Sequence, residues 1–176
     1  MGVWRRFPCH SLLAVLLGSV SLPVMAQELP VTVQQMEDIT PIEDVHYSYA
    51  RTISADGTAV IGYTHVTLER DGNPYTTSQA FRWSADGWQV LGSLKADGTG
   101  YSDASAINAD GSVIVGSAET DNQDIFHYNR QAFRWTSDGM VGLGTLRTNG
   151  IGYSHATAVS ADGSVVVGDT DTDTNE

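Results

Sequence analysis

The chain has 176 residues, a formal charge of −12, 41% hydrophobic residues, 18 glycines and one cysteine. A field of that sign repels phosphate backbones, which argues against nucleic acid and against anionic membrane surfaces as partners. With a single cysteine, at position 9, there is no disulfide framework and no thiolate metal site to consider.

Residues 1–26 have the pattern of a secretory signal. Arg5 and Arg6 precede an apolar run from Leu12 to Val20, and Val24-Met25-Ala26 is a small-residue cleavage site. The run is shorter than the roughly 20 apolar residues a membrane helix needs, and no later stretch approaches that length, so no membrane insertion is expected. Cys9 lies before the apolar run and not at the cleavage point, which argues against a lipid anchor. Cleavage after Ala26 would leave 150 residues, remove the only cysteine and two positive charges, and bring the formal charge to −14. Lys95 is then the only lysine. An acidic surface of this kind keeps a β protein soluble and discourages edge-to-edge pairing. The expected location is outside the cell or in a bacterial envelope, whether periplasm or outer surface.

Residues 27–46 form a lead-in with one candidate strand, Val31 to Met36. From residue 47 onward the chain repeats itself. Gln79-Ala80-Phe81-Arg82-Trp83 returns 52 residues later as Gln131-Ala132-Phe133-Arg134-Trp135. The same offset carries Leu91-Gly92 to Leu143-Gly144, Tyr101-Ser102 to Tyr153-Ser154, and Ala109-Asp110-Gly111-Ser112 to Ala161-Asp162-Gly163-Ser164. An earlier copy of that second portion runs from Tyr47-Ser48 through Ala55-Asp56-Gly57 to Gly62. The units fall near 47–100, 101–152 and, in part, 153–176. The first offset is longer by two residues, and the surplus falls in Thr64 to Ser78, which is expected to be a loop.

Each full unit carries two hairpin signals, because Asp-Gly tolerates the positive φ that tight hairpin turns demand. One hairpin runs from Ala104 to Asn108, turns at Asp110-Gly111 and continues in Val113-Ile114-Val115. The other runs from Ala132 to Thr136, turns at Asp138-Gly139 and continues from Met140 to Leu143. A two-residue turn there would set Trp135 opposite Gly142 and Phe133 opposite Gly144. Four strands in about 50 residues is the arithmetic of a propeller blade. The expected fold is therefore all-β: a propeller-like array of four-stranded antiparallel units, two complete and one partial, left open. Phe81, Trp83, Phe133, Trp135, Val113, Val115, Val165 and Val167 are its expected core between units.

At these residues the chain resembles the HAF-repeat family of probable extracellular bacterial proteins. The matching pieces are Ala80-Phe81-Arg82-Trp83, Ala132-Phe133-Arg134-Trp135-Thr136, Leu143-Gly144-Thr145-Leu146, and Ala158-Val159-Ser160-Ala161-Asp162-Gly163-Ser164-Val165-Val166-Val167-Gly168. Gln79 and Gln131 stand where the family's motif begins with histidine, so a histidine-dependent role at that position does not transfer. The resemblance implies secretion, an envelope setting, a propeller-like array and association with autotransporters. It implies no reaction.

Chemistry is sought where a unit departs from its neighbours, since residues present in every unit serve packing. Among His46, His65, His127 and His155 no two have a ligand spacing, and Asp56, Asp86, Asp110, Asp138 and Asp162 all sit at turns. His155 replaces Asp103 of the preceding unit, which reads as a tolerant turn position. The tail Asp169-Thr170-Asp171-Thr172-Asp173 offers oxygen ligands without a glycine-bearing loop to close a calcium site, and reads as a solvated acidic terminus. No catalytic residue, cofactor site or metal site is assigned, and the weight of the residues is against an enzyme. Variable loops on a repeated scaffold are where binding is built. The candidate ligand-binding aromatics are accordingly Tyr63, Tyr75, Phe126 and Tyr128. The expected function is a secreted or cell-surface, non-catalytic β-repeat protein of structural or adhesion type. Alternatives are an extracellular glycan- or ligand-binding propeller and a secreted hydrolase. The third unit lacks its Phe-Arg-Trp hairpin, so the chain is expected either to be a truncated member of a longer array or to associate with other copies.

Overall fold

The computed structural model describes residues 47–122 and 129–173, together with two short strands nearer the N-terminus. Those two, β1 (Leu13–Val15) and β2 (Met36–Asp38), pair antiparallel with Leu13 opposite Asp38. Residues 31–35 of the candidate lead-in strand lie outside the described residues. Met36 begins β2, and its partner is β1.

The described residues are all-β, with ten further strands in three antiparallel sheets. β3 (Ser48–Ile53), β4 (Ala59–Arg70), β5 (Asn73–Ser84) and β6 (Gly87–Gly92) form one meander in chain order. β7 (Ser102–Ile107), β8 (Ile114–Glu119), β9 (Arg130–Thr136) and β10 (Gly139–Gly144) form the second. β11 (Ser154–Val159) and β12 (Val166–Thr170) form a two-stranded third. The array is propeller-like and open.

Three local expectations are corrected. Thr64 to Ser78 is not a loop: β4 and β5 continue in register to Arg70 opposite Asn73. Asp71 (φ 52°) and Gly72 (φ 75°) supply the two positive-φ residues of the turn. The two surplus residues lengthen a hairpin. Next, the connection from β7 to β8 is wide, because Ile107 faces Ile114 and residues 108–113 lie between them. Finally, the turn from β9 to β10 is at Ser137-Asp138, since Thr136 faces Gly139. This shifts the register by two, so Trp135 faces Met140 and Phe133 faces Gly142.

The core lies between sheets. Ile61, Ala80 and Leu91 of the first sheet pack against Ala104, Ile114, Phe133 and Trp135 of the second. Val113, Val115 and Ala132 of the second pack against Ala156 of the third. Phe81 is fully buried, with its ring stacked on Trp88 at 3.9 Å, and Trp83 is half-buried beside it. Val165 and Val167 are each 56% exposed, whereas their counterparts Val113 and Val115 are buried. The reason is positional. Gly163 of the third sheet lies so close to Val113 that an added Cβ would come within 2.6 Å of its Cγ2, and among the described residues no fourth unit covers Val165 in that way.

Candidate functional site

Several polar residues that recur from unit to unit are occupied in holding backbone. Asp162 Oδ1 accepts hydrogen bonds from the Ser160 hydroxyl (2.6 Å), the Ser164 amide (3.0 Å) and the Ser164 hydroxyl (2.8 Å). Those donors hold its pKa at about 2. Asp56 and Asp110 make the same kind of turn and are likewise lowered, chiefly by the hydroxyls of Ser54 and Ser112. The Ser102 and Ser154 hydroxyls each accept the amide of the preceding unit, from Ala80 and Ala132 at 2.8 Å, and donate to the carbonyls of Gly92 and Gly144. Gln79 donates to the carbonyls of Gly98 and Gly100, and Gln131 to that of Gly150. The glutamines at the motif's first position are therefore structural, each tying its strand to the segment that leads to the next sheet.

The acidic tail is largely exposed, and two of its carboxylates also hold backbone. Asp171 accepts the Tyr153 amide at 3.1 Å and Asp173 the Thr148 amide at 2.9 Å. Glu119 and Asp121 do the same one unit earlier for the Tyr101 and Ala96 amides. These carboxylates staple the array. Among the described residues, no group of three or more His, Cys, Asp or Glu is placed to hold a metal.

Besides the lengthened β4–β5 hairpin, the first strand of each sheet carries variation between units. A β-bulge interrupts β3 between Ala50 and Thr52, β7 between Ala104 and Ala106, and β11 between Ala156 and Ala158. Gly62, Gly116 and Gly168 lie opposite the bulges, where an added Cβ would come within 1.8–2.0 Å of a facing carbonyl oxygen. A bulge bends its strand and re-aims the extra side chain. Here the extra residues are Arg51, Ser105 and Thr157. Arg51 reaches Asp103 of the next unit at 2.6 Å, and the Ser105 hydroxyl reaches His155 Nε2 of the next at 2.7 Å.

Arg51, Tyr63, His65, Ser78, Tyr101 and Asp103 line a pocket between the first two sheets. Tyr49 stacks on Tyr63 at 5.5 Å and Tyr63 on His65 at 6.2 Å, with Tyr47 tilted against both Tyr63 and His65. The Arg130 guanidinium lies 3.5 Å over the Tyr101 ring. Burial raises the Asp103 pKa against the opposing pull of Arg51. The result is an aromatic platform, with Tyr49 nearly half exposed, ending at an ion pair.

Of the candidate binding aromatics, Tyr63 belongs to this platform but sits in β4, and Tyr75 sits in β5 under the Arg70 guanidinium at 4.6 Å. Neither is a loop residue. Phe126 and Tyr128 lie outside the described residues, as do His46 and His127. Asp103 and His155 lie in strands β7 and β11, not at a tolerant turn. Sequence reasoning missed them together with Arg51 and Ser105. The usable signal was a short run of varied residues at alternate positions, framed by the recurring Tyr-Ser and Ala of each unit. Comparison with known proteins finds no matching family model, no matching curated protein and no matching solved structure.

Proposed function

We propose that the chain is a secreted or cell-surface, non-catalytic β-repeat protein that acts by contact through the face formed by the first strands of its sheets. The observation that carries this reading is the division of labour between positions. Recurring polar residues such as Ser102, Ser154 and Asp162 are consumed in backbone hydrogen bonds, while the varied Arg51, Asp103, Ser105 and His155 lie on the first strands, where the bulged Arg51 and Ser105 reach the next unit. The HAF-repeat resemblance, the leader pattern and the acidic composition support reading such a module as a bacterial envelope protein, in the adhesion-type passenger role of autotransporter-associated arrays.

A second reading is favoured by the stack of Tyr47, Tyr49, Tyr63 and His65 beside the Arg51–Asp103 pair. Flat rings next to paired polar groups suit a sugar ring, so the ligand of this face would be a surface glycan. One experiment addresses both. The exported protein is screened on a glycan array and against whole bacterial cells, with Tyr49→Ala and Tyr63→Ala as variants. Loss of cell binding in both variants supports the contact face, and loss of a glycan signal supports the sugar. Cell binding that neither substitution alters, or hydrolysis of a polysaccharide that Asp103→Asn abolishes, would overturn the proposal.

A further inference from the structure

Independently of what the aromatic face binds, the third sheet carries half of an interface that the chain completes twice elsewhere. In the first sheet β4 pairs with β5 so that Gly62 faces Phe81 and Val60 faces Trp83. In the second, β8 pairs with β9 in the same register, Gly116 facing Phe133 and Ile114 facing Trp135. β12 is the counterpart of β4 and β8, with Gly168 and Val166 at the matching positions. Among the described residues it has a strand partner on one side only, β11.

The groove beside that edge matches as well. Phe133 shares one core cluster with Ala80, Leu91 and Ala104, against which Leu94 also packs. One unit later those positions are Ala132, Leu143, Leu146 and Ala156, and they line a groove together with Val167 and Gly168. Leu91 is 8% exposed, whereas Leu143 is 48% and Leu146 70% exposed. Both Phe-Arg-Trp strands of the chain, β5 and β9, lie between two neighbours in their own sheets. A second copy therefore has none to lend without unfolding.

We propose that the outer edge of β12 and the groove along Ala132, Leu143, Leu146 and Ala156 form a strand-addition site for a β-hairpin of the Gln-Ala-Phe-Arg-Trp type, supplied by a further unit of the same repeat. The added strand runs antiparallel to β12, sets its phenyl ring over Gly168 as Phe133 sits against Gly116, and sets its indole opposite Val166. Main-chain hydrogen bonds supply affinity, and the pockets for alternate side chains supply selectivity.

The test uses a dye-labelled synthetic peptide with the sequence of residues 130–144, titrated against the protein by fluorescence anisotropy. Saturable binding is expected, with slowed amide hydrogen exchange in β12 and none of that slowing in β3. A peptide with serine in place of its phenylalanine and tryptophan should bind at least tenfold more weakly. Leu143→Glu and, separately, Leu146→Glu should each weaken binding by a similar factor. Both side chains already meet solvent, so neither change puts folding at risk, and unchanged circular dichroism verifies that. Absence of saturable binding at millimolar peptide would overturn the proposal. So would equal binding of a scrambled peptide, insensitivity to both leucine changes, or sedimentation showing that the protein closes this edge with a second copy that the peptide cannot displace.

Discussion

At the scale of single residues, the carboxylates divide by environment. Asp56, Asp110 and Asp162 stand in solvent at turns and are lowered by hydroxyl and amide donors, Asp162 to about 2. Asp103, enclosed between two sheets, is raised by burial despite its ion pair with Arg51. The two groups pull stability in opposite directions with pH. A lowered carboxylate contributes stability that is fully present above its unfolded value near 3.8 and is lost as pH falls toward the folded value near 2. A raised one costs stability once pH exceeds the unfolded value, and the cost reaches its full size above the folded pKa. Urea midpoints should therefore fall between pH 4 and pH 2 in the parent protein. The fall should be shallower when Asp56, Asp110 and Asp162 are all replaced by asparagine, because the variant has lost the ionised acceptors. Parallel curves for the two proteins would show that these turns contribute nothing through ionisation.

At the scale of elements, the bulge and its facing glycine act as one device. Gly116 has the Asp103 carbonyl oxygen so near that an added Cβ would fall at 2.0 Å, and the Phe133 ring at 3.0 Å. Gly72, at the tip of the long hairpin, has nothing within 4 Å of an added Cβ and needs glycine only for its φ of 75°. Gly116→Ala should therefore cost about 4 kcal/mol or more, the range kept for broken packing at a special backbone position. Gly72→Ala should cost about 1–2 kcal/mol, the penalty of a left-handed residue. Denaturant unfolding of the two variants decides, and equal losses would mean that the bulge relaxes around a methyl group. The bulge also marks the limit of what the sequence could tell. The 52-residue offset, the Asp-Gly turns and the alternation of Phe133 and Trp135 made the strands and the four-strand unit legible. They could not show which turn residue closes each hairpin, and a change of one position there slides a whole strand, as happened at Ser137-Asp138. Nor does any residue type announce a bulge. The aim of Arg51 at Asp103, and with it the candidate site, becomes visible only once strands of successive units stand side by side.

At the scale of the molecule, stability depends on what lies on either side of each sheet. The second sheet is enclosed on both faces: Ile114, Phe133 and Trp135 pack toward the first sheet, and Val113, Val115 and Ala132 toward the third. The third sheet is enclosed on one. Ala156 is buried against Val113 and Val115, while Val165 and Val167 meet water. Burying an aliphatic side chain stabilises by roughly 1.5–3 kcal/mol, so opening β11–β12 alone forfeits the cover of Val113, Val115 and Ala132 but leaves the first interface intact. Opening β8 or β9 forfeits both interfaces at once. Native-state hydrogen exchange should then resolve two levels. Amides of β11 and β12 should exchange through a partial opening of lower free energy, and those of β8 and β9 only through global unfolding. Addition of denaturant should bring the two sets together as global unfolding overtakes the partial event. Equal protection in all three sheets from the start would mean that the third is covered on both faces in solution, and the exposure of Val165 and Val167 would then have to be abandoned as a property of the free protein.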